Sequence, residues 1–238
     1  MSSEKSGTVN AKQLNSHGDT LVETTGHHGP DIASQRIDEL DGAALRFAEE
    51  ISARLTPAVA VDLGAGLGAQ TARFAAAGLS VLMVDLAVRP EWLQSVNSQH
   101  PEPRVSAFAG DVCQMPEDAM PRAVHLLYSQ RMIHYLRYPA AVGVLSSFAA
   151  RMGAGARLFL SCACLDSELS QGYSESGKRV DERFGALAPE LAKKHGVVEP
   201  LCLYSEPEFV RLAEESGFSA MKVWRSEFGT LKGVFGRR

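Results

Sequence analysis

One stretch of the sequence limits the possible folds more than any other, namely residues 59–69, which read VAVDLGAGLGA. A short apolar run ends at Asp62 and is followed by Gly64, Gly66 and Gly68 at alternate positions. This pattern predicts a buried strand that passes through a tight turn into a helix. Glycine lets the backbone approach a ligand closely, and the first N–H groups of the helix favour an anionic group. The stretch therefore predicts a ligand-binding turn.

The rest of the chain alternates between predicted strands and helices. An amphipathic helix is expected at about 37–55, ahead of the first strand. The predicted strands cover 58–61, 80–84, 104–109, 123–128 and 157–162, and the helices between them cover 69–77, 91–98 and 140–152, the last closed by Gly153. Such alternation predicts an α/β fold with a Rossmann-like, doubly wound, mostly parallel sheet. Ligands of these sheets bind outside the carboxyl ends of the strands.

The last third of the chain is less regular. A lid-like insertion is predicted at 165–200, with a helix at about 184–194. Ser205 and Glu208 form a capping box that opens a further helix. The strands predicted at 219–226 and 230–236 are joined by a short link, which indicates an antiparallel hairpin and a reversed strand at the C-terminus.

Length and charge define the domain organisation and the class of protein. The 238 residues fit one domain at 31–238, preceded by a segment at 1–30 that is either a flexible tail or a cover for the cofactor, with His27 and His28 near the site. The net charge of -4 gives no sign of nucleic-acid binding by bulk charge and leaves a local basic patch as the open alternative. The polar start and the lack of a long apolar run predict a cytoplasmic protein with no membrane partner. The four cysteines have no zinc spacing, so reduced thiols and no metal are expected.

Two ligand classes compete for the glycine turn. The spacing of Gly64, Gly66 and Ala69 fits a dinucleotide motif, whereas D-x-G-x-G-x-G fits all three glycines together with Asp62. A carboxylate at position 62 would repel a pyrophosphate and attract an ammonium group. Asp85, at the end of the second strand, can accept hydrogen bonds from both ribose hydroxyls of either ligand. Asp111 follows the third strand, where an adenine amino group could donate to it.

Together these motifs resemble the class I S-adenosylmethionine-dependent methyltransferases. The matching stretches are DLGAGLG, VLMVD and AGDV, within a resemblance that covers about 58–238. The resemblance implies S-adenosyl-L-methionine as the cofactor, with the three glycines against its amino-acid part, Asp85 on the ribose, and Asp111 with Val112 on the adenine. Four further residues complete the predicted cofactor set, namely Asp62, Ala65, Leu86 and Ser129.

The loop after the fourth strand is expected to face the methyl group. Its sequence, YSQRMIHY, lacks the Asn/Asp-Pro-Pro-aromatic run of many amide and amine N-methyltransferases. Arg131, with Arg137 nearby, could hold an anionic substrate, and His134 could act as a general base. Tyr135, with Tyr138 and Tyr173, could form an apolar or cation–π wall. Each of these side chains has a structural reading as well.

The sequence therefore predicts a methyltransferase that acts on an oxygen, nitrogen or sulfur atom of a small molecule. A tRNA or protein methyltransferase is the first alternative, and a non-catalytic sensor of S-adenosylmethionine is the second. An open cavity beside the methyl group favours an enzyme, whereas bulky side chains there favour a sensor. Cys162 and Cys164 are predicted to be small core residues, with a thiol site for a metalloid as the alternative. The oligomeric state and the acceptor atom stay open.

Overall fold

The protein is built around one mixed β-sheet, in a computed structural model that describes residues 28–29, 31–227 and 229–238. The strands are β1 (Val59–Leu63), β2 (Ser80–Asp85), β3 (Val105–Ala109), β4 (Val124–Ser129), β5 (Met152–Ala163), β6 (Phe218–Arg225) and β7 (Thr230–Arg237). Their spatial order is β3-β2-β1-β4-β5-β7-β6. The first five strands pair in parallel, and β7 pairs antiparallel with both of its neighbours. The predicted fold class, including the reversed C-terminal strand, is confirmed.

Helices cover both faces of this sheet. The α-helices are α1 (Glu39–Ser52), α2 (Ala69–Ala76), α3 (Pro90–Asn97), α4 (Tyr138–Ala149), α5 (Pro189–His195) and α6 (Glu206–Glu215), and short 3-10 helices lie at Val112–Gln114, Glu117–Ala119, Ile133–Tyr135 and Glu168–Ser170. One apolar cluster joins α1, α2 and α3 to the sheet, and the other joins α4 and α6. None of the described helices is long and apolar enough to cross a membrane.

The strand order places a switch point beside β1. The chain runs from β1 outward to β2 and β3, and then crosses to β4 on the other side of β1. Loops that leave the carboxyl ends of β1 and β4 therefore diverge to opposite faces and leave a crevice between them. The glycine turn follows β1, and the loop that begins at Gln130 follows β4. Both predicted parts of the site thus lie at this crevice.

Several element boundaries differ from the prediction, and those of α1 and α4 have a clear cause. Helix α1 begins at Glu39 because the Asp38 side chain accepts the N–H groups of Leu40 and Asp41, while the Asp41 carboxylate accepts the Asp38 N–H at 2.8 Å. Helix α4 ends at Ala149, so the prediction that Gly153 closes it is wrong. Gly153 lies inside β5, because that strand already starts at Met152, which pairs with Val124.

The segment at 165–200 lies between β5 and α6 and holds a small apolar cluster of its own. Tyr173, Leu187 and Leu191 are buried there against Leu201 and Leu203. The predicted helix at 184–194 is observed as the shorter α5, since Gly185 pairs with Leu201 in an isolated bridge instead. A lid function for this segment stays a prediction. Of the predicted tail at 1–30, only 28–29 are described, so His27 and its proposed role lie outside the described residues.

Candidate functional site

The glycine turn after β1 needs glycine for two separate reasons. Gly64 has a φ of 71°, and a Cβ atom there would collide with the side chain of Met132 from the β4 loop. Gly68 has a φ of 84° and forms the N-cap of α2. The indole ring of Trp92 occupies the space that a Cβ atom of residue 68 would need. An L side chain is strained at both backbone conformations. Gly64 therefore keeps the mouth of the crevice open, whereas Gly68 serves the packing of α3 on the turn.

A cavity of about 350 Å³ lies at the carboxyl ends of β1, β2 and β3, and we call it the strand-end cavity. Eight of the predicted site residues line it, namely Gly64, Gly66, Asp85, Leu86, Asp111, Val112, Arg131 and Tyr135. His28, which the covering-segment alternative put near the site, also lines it, and the structure adds Val84, Gly110, Met132 and Leu136. The residues predicted from four separate strand ends are thus brought together around one space.

Asp85 and Asp111 supply the carboxylates of this cavity. The Oδ2 atom of Asp85 accepts the Gly66 N–H at 2.8 Å, which ties the end of β2 to the glycine turn. Burial raises the pKa of Asp85 although backbone N–H groups oppose the shift. Asp111 accepts the Cys113 N–H at 2.9 Å through Oδ1. A carboxylate has about four acceptor positions, so both side chains retain capacity for donors from a ligand.

Other predicted cofactor residues lie behind the turn and not in the strand-end cavity. Asp62 is 1% exposed and accepts the Thr71 hydroxyl at 2.6 Å, and burial raises its pKa to about 7. It lines, with Ala65, a pocket of about 60 Å³ behind the glycines. Ser129 is fully buried at the end of β4, and its hydroxyl has no hydrogen-bond partner among the described residues. These positions are within the wall of the crevice.

A second cavity of about 160 Å³ adjoins the first, and we call it the side cavity. The two share His28, Arg131 and Tyr135. The remaining walls come from the residues before α1, the β4 loop, β5, the segment at 165–200, the link between β6 and β7, and β7. They are formed by Gly29, Ile32, Arg36, Asp38, His134, Ala163, Glu168, Leu169, His195, Val197, Ser226, Gly229, Thr230 and Lys232. The site thus consists of two spaces that meet at the side chains of the β4 loop.

Solved structures of other proteins share this fold. A 1,6-didemethyltoxoflavin N1-methyltransferase from Burkholderia thailandensis, solved with 1,6-didemethyltoxoflavin and S-adenosylhomocysteine, matches with a TM-score of 0.57 and 25% identity over 82% of this chain and 78% of that chain. The methyltransferase CcbJ from Streptomyces caelestis matches with a TM-score of 0.59 and 13% identity over 90% and 98%. These matches show that the chain has the fold of the class I S-adenosylmethionine-dependent methyltransferases.

Further comparisons are more limited. The pyocyanin biosynthetic protein PhzM matches with a TM-score of 0.53 and 21% identity over 80% of this chain, which spans only 54% of the length of PhzM. No protein-family model matches the sequence, and no curated protein matches it at a significant level. The methyltransferase fold is therefore recognised through structure, and the roles of individual residues rest on the geometry of this chain.

His134 lines the side cavity but is a poor candidate for a general base. Its ring is 5% exposed, and its Nδ1 atom accepts the Ala163 N–H at 3.3 Å. Burial, with the nearby charge of Arg131, lowers its pKa to about 3. A neutral imidazole that accepts at Nδ1 carries its proton on Nε2. The geometry therefore favours a hydrogen-bond donor at Nε2 over a proton acceptor.

Arg131 and Tyr135 form the boundary between the two cavities. Arg131 has a φ of 59°, the one positive value among the described non-glycine residues, and its N–H donates to the Ser161 hydroxyl at 2.9 Å. Strained backbone of this kind costs about 1–3 kcal/mol and clusters at functional sites. The Tyr135 ring packs against His28 and His134, with centroids 5.4 and 4.5 Å away. Both predicted residues therefore belong to the site.

Sequence reasoning missed a buried cluster of charged and polar side chains, formed by Asp38, Lys232, Arg131 and Gln130. The Asp38 Oδ2 atom lies 3.0 Å from the Lys232 ammonium and 3.6 Å from the Arg131 guanidinium, and the Gln130 amide donates to it. Asp38 is the N-cap of α1, and this position holds its carboxylate at the site. Lys232, in the otherwise apolar stretch TLKGVF, was the available signal, because a lysine in an internal strand needs a partner.

Three residues that were predicted to contact the acceptor line neither cavity, namely Arg137, Tyr138 and Tyr173. The Arg137 guanidinium is on the Phe184 ring at 4.7 Å, so it does not join Arg131. Tyr138 is buried and donates to Glu215 at 2.8 Å, and Tyr173 donates to the Leu201 carbonyl at 2.7 Å. The wall predicted from three tyrosines is therefore wrong apart from Tyr135.

The two cysteines considered for a thiol site lie in the core of the protein. Cys162 and Cys164 are fully buried and belong to the main apolar cluster, as their core reading predicts. Neither is among the residues that line the two cavities. Among the described residues, no group of three or more His, Cys, Asp or Glu side chains could hold a metal ion. The thiol site for a metalloid has no support from this arrangement.

Proposed function

We propose that the protein transfers a methyl group from S-adenosylmethionine to a nucleophilic atom of a small molecule. The observation that carries the proposal is that the strand-end cavity and the side cavity share Arg131 and Tyr135. A transferase needs its two substrates in adjoining spaces, with the reacting atoms at the boundary. The two cavities supply this arrangement within one fold.

The strand-end cavity fits the cofactor in size and in chemistry. Its volume of about 350 Å³ lies within the range of small-molecule sites. Asp85 would accept the ribose hydroxyls, Asp111 the adenine amino group, and Leu86 with Val112 would contact the adenine faces. The turn at Gly64 and Gly66 would lie against the amino-acid part. When bound, S-adenosylmethionine supplies an electrophilic methyl group on a sulfonium ion.

The side cavity is proposed to hold the acceptor. Ile32 and Leu169 give it apolar walls, whereas Lys232 and the Nε2 side of His134 give it donors. Methyl transfer is a displacement in which alignment supplies much of the rate, so these residues would act by orienting the acceptor and excluding water. No strong base is needed for an acceptor that is already nucleophilic. The open volume here favours an enzyme over the sensor, which would fill this position.

A small molecule is favoured over RNA or protein by two observations. The acceptor space is small, at about 160 Å³, and residues of the segment at 165–200 form part of its wall. The net charge of -4 offers no general attraction for a polyanion. The Burkholderia neighbour is named as an N1-methyltransferase of 1,6-didemethyltoxoflavin, and its structure contains that compound and S-adenosylhomocysteine. That similarity supports the proposed substrate class without identifying the acceptor.

The proposal is tested by where a labelled methyl group goes. The protein is incubated with methyl-labelled S-adenosylmethionine and, separately, with the small-molecule, RNA and protein fractions of a cell extract from its source. We expect label only in the small-molecule fraction. An Arg131→Met variant should lose most of this labelling, whereas Arg54→Met, which changes an exposed residue on a pair with Glu50, should retain it. Label in RNA or protein alone would contradict the proposed substrate class.

A further inference from the structure

The side cavity contains more positive than negative charge at its inner end. Lys232 lies on β7 and its side chain is 6% exposed, and the Arg131 side chain is 28% exposed. Both cations share the single carboxylate of Asp38, at 3.0 and 3.6 Å. Burial of an unbalanced charge is unfavourable unless another partner is present. The inner end of the cavity is therefore suited to a second anion.

The other carboxylates nearby do not balance this charge. Glu168 lines the cavity, but it pairs with Lys194 at 2.7 Å and with His195 at 2.8 Å. Asp41 contacts the Tyr128 hydroxyl and the backbone of Asp38 and does not line the cavity. Burial and the adjacent Asp38 raise the pKa of Asp41, which favours its neutral form. The second cation of the cluster therefore lacks a carboxylate of its own.

The ammonium of Lys232 also has unused hydrogen-bonding capacity. An ammonium carries three N–H donors, and Asp38 is its one polar partner in the part of the chain that the structure describes. The side chain lines the side cavity. Buried donors are nearly always satisfied, so an acceptor molecule in this cavity would meet the two remaining N–H groups.

We infer that the methyl acceptor carries an anionic oxygen, a carboxylate, phenolate or enolate, and that Lys232 is the residue that selects for it. This inference rests on the proposed function, because it assigns the side cavity to the acceptor. The apolar side chains of Ile32, Leu169 and Val197 line the same cavity and suit the carbon skeleton of such a molecule. The acceptor class is thus a small amphipathic acid, held at its charged group by Lys232.

The test compares two probes that differ only in charge. The protein is saturated with S-adenosylhomocysteine and titrated with 4-hydroxybenzoate and with the neutral 4-hydroxybenzamide, with binding followed by ligand-observed NMR. We expect the carboxylate to bind about tenfold more tightly than the amide, as expected for one charge-assisted hydrogen bond. Lys232→Met should remove this preference, and Lys232→Arg should keep it. Lys222→Met, which removes an ammonium on the Trp224 ring outside the cavity, should have no effect.

The outcomes separate the inference from the proposed function. Equal binding of both probes to the unmodified protein, or a preference that survives in Lys232→Met, would overturn the role of Lys232. If Lys232→Met does not fold, Lys232→Gln replaces it, since it keeps a donor without the charge. S-adenosylhomocysteine binding is measured first and should be unchanged in every variant. Its absence would count against the proposed function, and the probe preference is then measured on the protein alone, where it still tests Lys232.

Discussion

The two cavities of the site are built in different ways. The strand-end cavity is made from backbone turns and single side chains at the ends of consecutive parallel strands, such as Gly64, Asp85 and Asp111. The side cavity is made from side chains of segments that are distant in the sequence, and Asp38 and Lys232 are 194 positions apart. The first construction follows from the sheet itself, whereas the second depends on how loops and termini pack over it. The cofactor side is therefore set by the fold, and the acceptor side is set by this particular sequence.

The largest effect on stability is expected from a change at Asp38, which lines the side cavity but not the strand-end cavity. Asp38→Asn keeps a cap for α1 but leaves Lys232 and Arg131 without their carboxylate. Removal of one partner from a buried pair costs about 3–5 kcal/mol, so the free energy of unfolding should fall by that order in urea titrations. Glu50→Gln breaks an exposed pair and should change it by less than about 1 kcal/mol. Equal effects of the two changes would refute the idea of a buried ion cluster.

A second prediction concerns the pocket behind the glycine turn. Burial raises the pKa of Asp62 to about 7. The folded protein therefore keeps a proton that the unfolded chain loses near pH of about 4. As a result, the free energy of unfolding falls as the pH rises from about 4 to about 7. Asp62→Asn should therefore gain stability relative to the unmodified protein over that range, by on the order of 3 kcal/mol in total. The measurement is urea unfolding at several pH values. A difference that does not vary with pH would contradict the raised pKa.

A third prediction tests the backbone character of the strand-end cavity. Gly64→Ala adds a methyl group that collides with Met132 and strains a backbone with a φ of 71°. The affinity for S-adenosylhomocysteine should fall by about a hundredfold, equivalent to the upper range of such strain. Gly143→Ala, in α4 with open space around its Cα, is the matched control and should leave the affinity unchanged. Unaltered binding in Gly64→Ala would show that the turn does not touch the ligand.

The smallest effect is expected at His134, where the prediction is that nothing titrates. Since its pKa is lowered to about 3 and its Nδ1 atom accepts the Ala163 N–H, the ring should stay neutral with its proton on Nε2 above pH of about 4. Nitrogen-15 NMR of labelled protein reports the tautomer directly. A ring that gains a proton between pH of about 6 and 7 would restore the general-base hypothesis.

Much of the fold and of the cofactor side could be predicted from sequence. The strands from β1 to β5 are apolar runs, and glycine or aspartate follows or ends several of them. Their carboxyl ends, and the residues after them, could therefore be predicted to within two residues. The alternation of elements then placed Gly64, Asp85 and Asp111 at one edge of the sheet. Asp62, Ala65, Gly68 and Ser129 do not line this cavity. The burial of Asp62 and Ser129 at the strand ends is not visible in the motif.

The acceptor side resisted prediction for physical reasons. Arg137, Tyr138 and Tyr173 are close to Arg131 in sequence or similar to Tyr135 in type, but helix geometry and packing of the 165–200 segment point them elsewhere. Lys232 entered the site because β7 inserts antiparallel beside β5. Such long-range placement depends on tertiary packing, which local patterns do not contain.

The central claim is that the strand-end cavity binds an adenosyl cofactor through Asp85, and calorimetric titration tests it most directly. S-adenosylmethionine and S-adenosylhomocysteine should bind the unmodified protein, and NAD should not. Asp85→Asn should weaken both adenosyl ligands by about tenfold or more, because charged hydrogen bonds are lost, whereas Asp118→Asn, on an exposed 3-10 helix, should not. Binding of NAD without binding of either adenosyl ligand would contradict the account.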